Sequence, residues 1–164
     1  MVTDLKIRRF QDHDAAASAQ LFFEAVQTGA RDAYTQEQRN AWAPSIPDIS
    51  DWQTRLKMQF SVMAFHDDQL SGFMTLTDQG VIDLAFVRPT AMGKGVAGEL
   101  YNAIVKLARI RQFPLLQTHA SHLARRFFEK RNWVIIQQQT AVRNDVELTN
   151  FLMELNMTSA ECLH

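Results

Sequence analysis

Three of the six glycines in the chain stand within six positions, at Gly93, Gly95 and Gly98. A strand-like apolar run, residues 81–87, precedes them, and a helix-like run, residues 99–108, follows. Glycines at such a turn leave backbone N–H groups uncovered, and the dipole of the following helix attracts negative charge. The arrangement predicts a binding site for the phosphate groups of a ligand.

An ordinary glycine turn is the simplest alternative to a phosphate site. The P-loop pattern fails because Gly95, and not Ser or Thr, follows Lys94. The spacing Gly93-x-Gly95-x-x-Gly98 does fit a dinucleotide fingerprint. However, the preceding strands predict an antiparallel meander in place of a βαβ unit, and no acidic residue stands at the expected distance. A nicotinamide-dependent oxidoreductase therefore stays open only as an alternative.

Two side chains near the loop are candidates for acid–base chemistry. Asp83 is the lone carboxylate of residues 81–87, and strand alternation predicts that it shares a face with Ala85 and Val87. His119 ends the next predicted strand, residues 115–119. One hypothesis is that Asp83 or His119 acts as a general base. The alternatives are an acid at the sheet edge for Asp83 and a hydrogen-bonded surface residue for His119.

The remaining pattern predicts the elements that position these residues. Helices are expected over residues 13–30, between Thr35 and Pro44, over 51–59 with Ser50 as cap, from about 96, and over 122–131. Strands are expected over residues 5–10, 61–66, 70–77, 81–87, 115–119, 134–142 and 147–155. This order predicts an α/β (α+β) fold with a mixed, largely antiparallel sheet. The length of 164 residues predicts a single domain over residues 1–164.

Two segments together resemble the core of the GCN5-related N-acetyltransferase (GNAT) superfamily. Residues 84–100, LAFVRPTAMGKGVAGEL, are similar to its acetyl-CoA-binding pattern, a strand ending in Val-x-Pro and then Gln/Arg-x-x-Gly-x-Gly/Ala. Gly95 and Ala97 match the last two positions, whereas Met92 replaces Gln or Arg and cannot form its hydrogen bonds. Residues 121–133, SHLARRFFEKRNW, are similar to the family's Asn-x-x-Ala-x-x-Phe-Tyr-x-Lys-x-Gly-Phe helix. Residues 34–44 and 142–151 further resemble a bacterial subgroup of small acetyltransferases.

The resemblance implies a specific site for acetyl-CoA as co-substrate. Helices would cover both faces of the sheet, and the strands at 81–87 and 115–119 would splay apart around the acetyl group. The N–H of Val87 would polarise the thioester carbonyl. Phe128 stands where the family often has a tyrosine that protonates the leaving thiolate. The implied cofactor contacts are Ala85, Phe86, Val87, Met92, Gly93, Lys94, Gly95, Val96, Ala97, Gly98, Ser121 and Phe128.

The implied function is transfer of an acetyl group to a primary amine. The acceptor would be a small molecule, aromatic or not, or a peptide. Direct transfer in a ternary complex is expected because no cysteine lies near the loop. Asp83 and His119 are the expected catalytic residues, and no metal is expected. Because Phe128 cannot donate a proton, a protein that binds CoA or acetyl-CoA without turnover is the main alternative.

Composition limits the partners and the compartment. A net charge of −1 and a pI near 6.5 disfavour nucleic acid and anionic membranes as partners. The single cysteine, Cys162, cannot form an internal disulfide, and a reducing cytoplasm is expected. No leader-like or membrane-length apolar run stands out. The expected partners are acetyl-CoA and an amine acceptor, and the chain is expected to be a monomer or a homodimer.

Overall fold

The computed structural model describes residues 4–158, so Cys162 lies outside the described residues. Within this range the chain forms seven strands and five helices. The strands are β1 (Leu5–Arg9), β2 (Phe60–His66), β3 (Gln69–Leu76), β4 (Val81–Val87), β5 (Leu115–Ala120), β6 (Val134–Arg143) and β7 (Val146–Asn156). The helices are α1 (Ala15–Glu24), α2 (Gln36–Trp42), α3 (Ile49–Lys57), α4 (Val96–Ile110) and α5 (His122–Glu129).

The strands form one sheet in the order β1-β2-β3-β4-β5-β7-β6. Neighbouring strands run antiparallel everywhere in this sheet except at β4 and β5, which run parallel. The prediction of a mixed, largely antiparallel α/β fold is thus confirmed. The predicted antiparallel meander is formed by β2, β3 and β4. The expectation that no βαβ unit contains the glycine loop was wrong, because α4 connects β4 to its parallel neighbour β5.

Helices cover both faces of the sheet and enclose two separate cores. On one face α4 and α5 bury an apolar cluster that includes Leu100, Ile104 and Phe128. On the other face α1 and α3 bury a second cluster around Phe22, Trp52 and Phe73. The apolar residues of α4 recur at helical spacing, so this helix presents one continuous face to the sheet. The loop in front of α4 therefore rests on a firmly packed element.

The helix ends follow local capping chemistry. Thr35 and Gln38 form the predicted capping box of α2, with the Thr35 Oγ1 accepting from the Gln38 N–H at 3.1 Å. Helix α3 begins earlier than predicted, at Ile49, because the Asp48 carboxylate and not Ser50 caps it. The first long helix divides into α1 and a wider π turn over Ala25–Gly29. Ala25 and Gly29 of this π turn line a cleft that Val87 and Met92 also line.

Candidate active site

The glycine loop between β4 and α4 has the backbone shape that the sequence predicted. Gly93 and Gly95 have φ angles of +77° and +81°, in the left-handed region that side chains disfavour. Gly95 is the N-cap of α4 and provides no side chain to cover the first N–H groups of the helix. Because those groups have no intrahelical acceptor, the end of α4 offers several donors to an anion.

A β-bulge interrupts β4 near its start. Leu76 pairs with Ile82 and Met74 pairs with Ala85, so β4 contains one residue more than β3 over this stretch. The N–H of Leu84 donates to the Thr75 hydroxyl at 3.0 Å within the bulge. A side chain therefore supplies an acceptor where the regular ladder is broken.

The bulge changes which side chains share a face of the sheet. Ala85 and Val87 pack against the core under α4, whereas Leu84 belongs to the core under α1 and α3. Asp83 bonds to the side chain of Arg55 on α3. The expectation that Asp83 shares a face with Ala85 and Val87 is therefore wrong, because strict alternation fails at a bulge.

Strands β4 and β5 separate after only two paired positions. Val81 pairs with Gln117 and Ile82 with Thr118, but both strands continue beyond these pairs. The splayed strand pair that the family resemblance implied is thus present. Directly after β4, the Arg88 N–H donates to the Ser71 carbonyl on β3 at 2.8 Å. Because successive residues of a strand direct their N–H groups to opposite sides, the N–H of Val87 faces the gap.

Two clefts meet at this gap. A narrow cleft of about 160 Å³ lies on the α4 and α5 side, and Val87, Met92 and Ala97 help to line it. A wide cleft of about 610 Å³ lies on the side of α2 and α3, and Trp42, Asp83 and His119 help to line it. Both clefts are lined by Trp42, Ala85, Phe86, Ser121, Ala124 and Phe128. The gap therefore connects a surface near the glycine loop with a larger, more polar space.

Ser121 and Phe128 take positions that follow from the packing of α5. The Ser121 hydroxyl accepts from the Ala124 N–H at 3.1 Å and caps the helix. Phe128 is 1% exposed and its ring packs 4.8 Å from that of Trp133. Met92, in contrast, is 50% exposed at the entrance of the loop. Its thioether carries no hydrogen that could be donated to a phosphate.

Asp83 lies on the wall of the wide cleft with both carboxylate oxygens engaged. The Arg55 guanidinium contacts the two oxygens at 3.0 to 3.1 Å. The Gln59 amide also donates to Asp83, at 2.7 Å. The Asp83 carboxylate is therefore held on the cleft wall by an ion pair and a hydrogen bond from the side chains of Arg55 and Gln59.

His119 lies exposed on the floor of the wide cleft. Its Nδ1 is 2.9 Å from the Oε1 of Gln139 on β6. In the tautomer with its proton on Nδ1, the neutral ring donates to this oxygen, since a carbonyl oxygen can only accept. Nε2 is then the nitrogen that carries the lone pair. A neutral imidazole accepts a proton through this lone pair.

Tyr34 forms part of the wide cleft, but its hydroxyl has structural partners. It accepts from the His122 N–H at 3.0 Å and donates to the Thr149 carbonyl at 3.0 Å. Burial raises the pKa of Tyr34, and the bond from His122 opposes that change. A neutral Tyr34 therefore ties the start of α5 to β7 and stabilises one wall of the cleft.

Sequence patterns did not identify several residues that shape the site. Arg55 comes from α3, Gln59 from the turn between α3 and β2, and Gln139 and Arg143 from β6, all far from the glycine loop in the chain. None of them belongs to a local motif. Only the topology, which places β6 and β7 beside β5, brings them to the same cleft.

Comparison with known proteins identifies the class to which this fold and site belong. A family model described as an acetyltransferase (GNAT) domain matches residues 30–155. The chain belongs to this family of N-acetyltransferases. Among curated proteins it is similar to the uncharacterized N-acetyltransferase YafP of Escherichia coli K12. The two are 29% identical over 152 residues, which cover 93% of this chain and 96% of YafP.

Solved structures agree with this assignment. A GCN5-related N-acetyltransferase from Rhodopseudomonas palustris is 32% identical, with a TM-score of 0.88 and coverage of 92% of this chain and 94% of that one. The PaiA N-acetyltransferase from Thermoplasma acidophilum, solved in complex with coenzyme A, has a TM-score of 0.70 at 16% identity. That alignment covers 93% of this chain and 98% of PaiA, and at this identity it indicates a shared fold.

Two further findings concern metal ligands and helix length. Among residues 4–158, no three His, Cys, Asp or Glu side chains cluster as metal ligands would. In the same part of the chain, every helix is too short or too polar to cross a membrane.

Proposed function

We propose that this N-acetyltransferase uses acetyl-CoA as co-substrate and transfers its acetyl group to a primary amine held in the wide cleft. The gap between β4 and β5, where the two clefts meet, is the observation that carries the proposal. The thioester of acetyl-CoA would enter this gap from the narrow cleft, and the amine would enter it from the wide cleft. Direct attack in a ternary complex follows, since no cysteine lies at the gap among the described residues.

The backbone supplies most of the proposed contacts to the co-substrate. The N–H groups of Gly95, Val96, Ala97 and Gly98 would bind the pyrophosphate, together with the rest of the loop from Met92 to Lys94. The strand ends at Ala85, Phe86 and Val87 would hold the pantetheine arm. The N–H of Val87 would stabilise the oxyanion that forms when the amine nitrogen attacks the thioester carbon. Ser121 and Phe128 would border the same channel.

His119 is the proposed general base. Nε2 would take the proton that the amine nitrogen loses as the new C–N bond forms and the C–S bond breaks. The leaving thiolate would take its proton from water, because Phe128 offers no hydroxyl. Asp83 keeps its place as a predicted catalytic residue, although its contacts with Arg55 and Gln59 favour a role in shaping the cleft.

The shape and polarity of the wide cleft support a small amine acceptor. Trp42 and Phe86 provide aromatic surface, and Arg143 and Asp51 provide charge at the border. A volume of about 610 Å³ suits a drug-sized molecule or the end of a peptide. The proposal therefore includes small-molecule amines, aromatic ones among them, and peptides as acceptors.

The test is release of the CoA thiol from acetyl-CoA across a panel of amines. The panel would contain aromatic amines, aliphatic amines, amino acids and short peptides, and a tertiary amine of each small class would serve as control. We expect amine-dependent thiol release and an N-acetylated product with at least one primary amine. The burial of Phe128 where the family often has tyrosine keeps the non-catalytic alternative open. Tight acetyl-CoA binding without amine-dependent release would support that alternative and contradict transfer.

A further inference from the structure

Arg131 is held beside the glycine loop by aromatic rings. Its guanidinium carbon lies 3.7 Å from the centre of the Phe127 ring and 5.3 Å from that of Tyr101. Its Nη1 also donates to the Phe127 carbonyl at 3.1 Å. Stacking and this hydrogen bond restrict the side chain, so its charge has a defined position.

The guanidinium lies against the first turn of α4. A Cβ atom at Gly98 would come within 3.2 Å of the Arg131 Nη2. Gly98 is the third residue of α4, and its N–H is among those that have no acceptor within the helix. The third glycine of the motif therefore makes room for a cation beside these donors. The spacing of the three glycines predicted that Gly98 lets a phosphate approach the backbone. The structure instead shows Gly98 leaving space for the Arg131 side chain.

The charge of Arg131 has no counterion among residues 4–158. Arg125 on the same segment pairs with Glu129 at 2.7 Å, and Arg88 pairs with Glu24 at 3.0 Å, but no described carboxylate lies within 4.0 Å of Arg131. The guanidinium also lies near the positive end of the α4 dipole, which is an unfavourable place for a cation. An anion bound at the end of α4 would relieve both effects.

The side chain of Met92 cannot donate a hydrogen bond to such an anion. It stands where the family pattern has Gln or Arg, and its half-exposed thioether cannot donate. We propose that Arg131 supplies the side-chain contact to a phosphate group of acetyl-CoA that Met92 cannot make. Arg131 would thus be a binding and specificity residue for the nucleotide end of the co-substrate. The inference rests on the proposed function, since it takes acetyl-CoA to be the ligand.

The experiment measures the Kd of three ligands by calorimetry with the full chain. The ligands are acetyl-CoA, acetyl-dephospho-CoA, which lacks the 3′-phosphate, and S-acetylpantetheine, which lacks all nucleotide phosphates. The variant is Arg131→Gln. The matched control is Arg111→Gln, because Arg111 also lies over a phenyl ring, 4.6 Å from the centre of Phe60, but directly after the far end of α4.

We expect Arg131→Gln to weaken acetyl-CoA binding by about tenfold, the effect of losing one charge-assisted hydrogen bond. Arg111→Gln should leave the Kd within about twofold. If Arg131 contacts the 3′-phosphate, the difference between wild type and variant disappears with acetyl-dephospho-CoA. If Arg131 contacts the pyrophosphate, the difference in Kd persists with acetyl-dephospho-CoA and disappears only with S-acetylpantetheine.

The outcomes separate this inference from the proposed function. A wild-type protein that does not bind acetyl-CoA contradicts the proposed function itself. Normal wild-type binding with an equal Kd for Arg131→Gln overturns the role of Arg131 alone. A loss that is equal for all three ligands also overturns it, because a general distortion of the site would not depend on the phosphates. Thermal unfolding of the variant, expected within a few degrees of wild type, checks that the fold is intact.

Discussion

The two sides of the gap between β4 and β5 differ in what they offer a ligand. The narrow cleft meets a loop whose donors are backbone N–H groups, positioned by Gly93 and Gly95 and by the packing of α4. The wide cleft presents side chains from α2, α3, β4, β5 and β6. A binding site made of backbone N–H groups requires a particular loop conformation. A binding site made of side chains requires particular residues at particular positions. A site of the first kind can be common to a family, whereas the second is where we propose that the individual acceptor is selected.

The largest effect should come from a negative charge in the glycine loop. Gly95→Glu should weaken acetyl-CoA binding more than about a hundredfold, because the carboxylate competes with the pyrophosphate for the same N–H groups. Gly95→Gln is the matched control. It brings the same left-handed strain and nearly the same volume without the charge, and should lose less. Equal Kd values for the two variants would mean that shape alone accounts for the loss, and normal binding by both would remove the loop from the site.

The next effect should come from His119. His119→Gln should lower kcat by about a hundredfold with little change in the Kd of acetyl-CoA, since the variant keeps a hydrogen-bonding side chain but loses the base. His66→Gln, at the turn between β2 and β3, is the control and should keep wild-type rates. Gln139→Leu should give an intermediate loss, because it frees the ring without removing it. An unchanged kcat for His119→Gln would exclude His119 as the base.

Substitution of Asp83 should have a smaller effect on catalysis. The result distinguishes a role in shaping the cleft from a role as general base. Loss of the ion pair should raise the KM of the amine by about fivefold in Asp83→Asn and leave the pH dependence of the rate unchanged. A general base would give a different result, with a rate that falls more at neutral than at high pH. Kinetics of the variant from pH 6 to pH 10 separate the two. A rate loss confined to neutral pH would make Asp83 the base and contradict the role in shaping the cleft.

The smallest expected effect comes from restoring the family hydroxyl at position 128. Phe128→Tyr should raise kcat a few-fold, because a phenol at the meeting point of the clefts could protonate the leaving thiolate. Phe127→Tyr, on the neighbouring position of α5, serves as the control and should not raise the rate. A fall in kcat for Phe128→Tyr with intact folding would mean that the ring is needed only as packing.

The contrast between the clefts also explains what the sequence could predict. The loop, the bounds of β4 and the start of α4 follow from a local pattern of glycines and apolar periodicity, and the structure agrees there. The sheet class and the splay were predicted as well. The bulge at Asp83 was not, because it depends on the Thr75 hydroxyl, a partner on another strand. Strict alternation therefore assigned Asp83 to the wrong face.

The wide cleft was the part that the sequence could not define. Its residues come from segments that are in places more than a hundred positions apart, such as Trp42 and Arg143, and only tertiary packing brings them together. The ion pair between Arg55 and Asp83 has no sequence signature for the same reason. The roles of the predicted site residues, the single domain over residues 1–164 and the oligomeric state stay predictions.

The most direct test of the central claim is an amide NMR titration of the full chain with acetyl-CoA and, separately, with CoA. Both ligands should shift the amide signals of Gly95, Val96, Ala97 and Gly98, because both carry the pyrophosphate. Acetyl-CoA should in addition shift the Val87 amide in a way that CoA does not, since the thioester oxygen is proposed to accept from that N–H. Identical Val87 shifts with the two ligands, or shifts that avoid the loop before α4, would contradict the account.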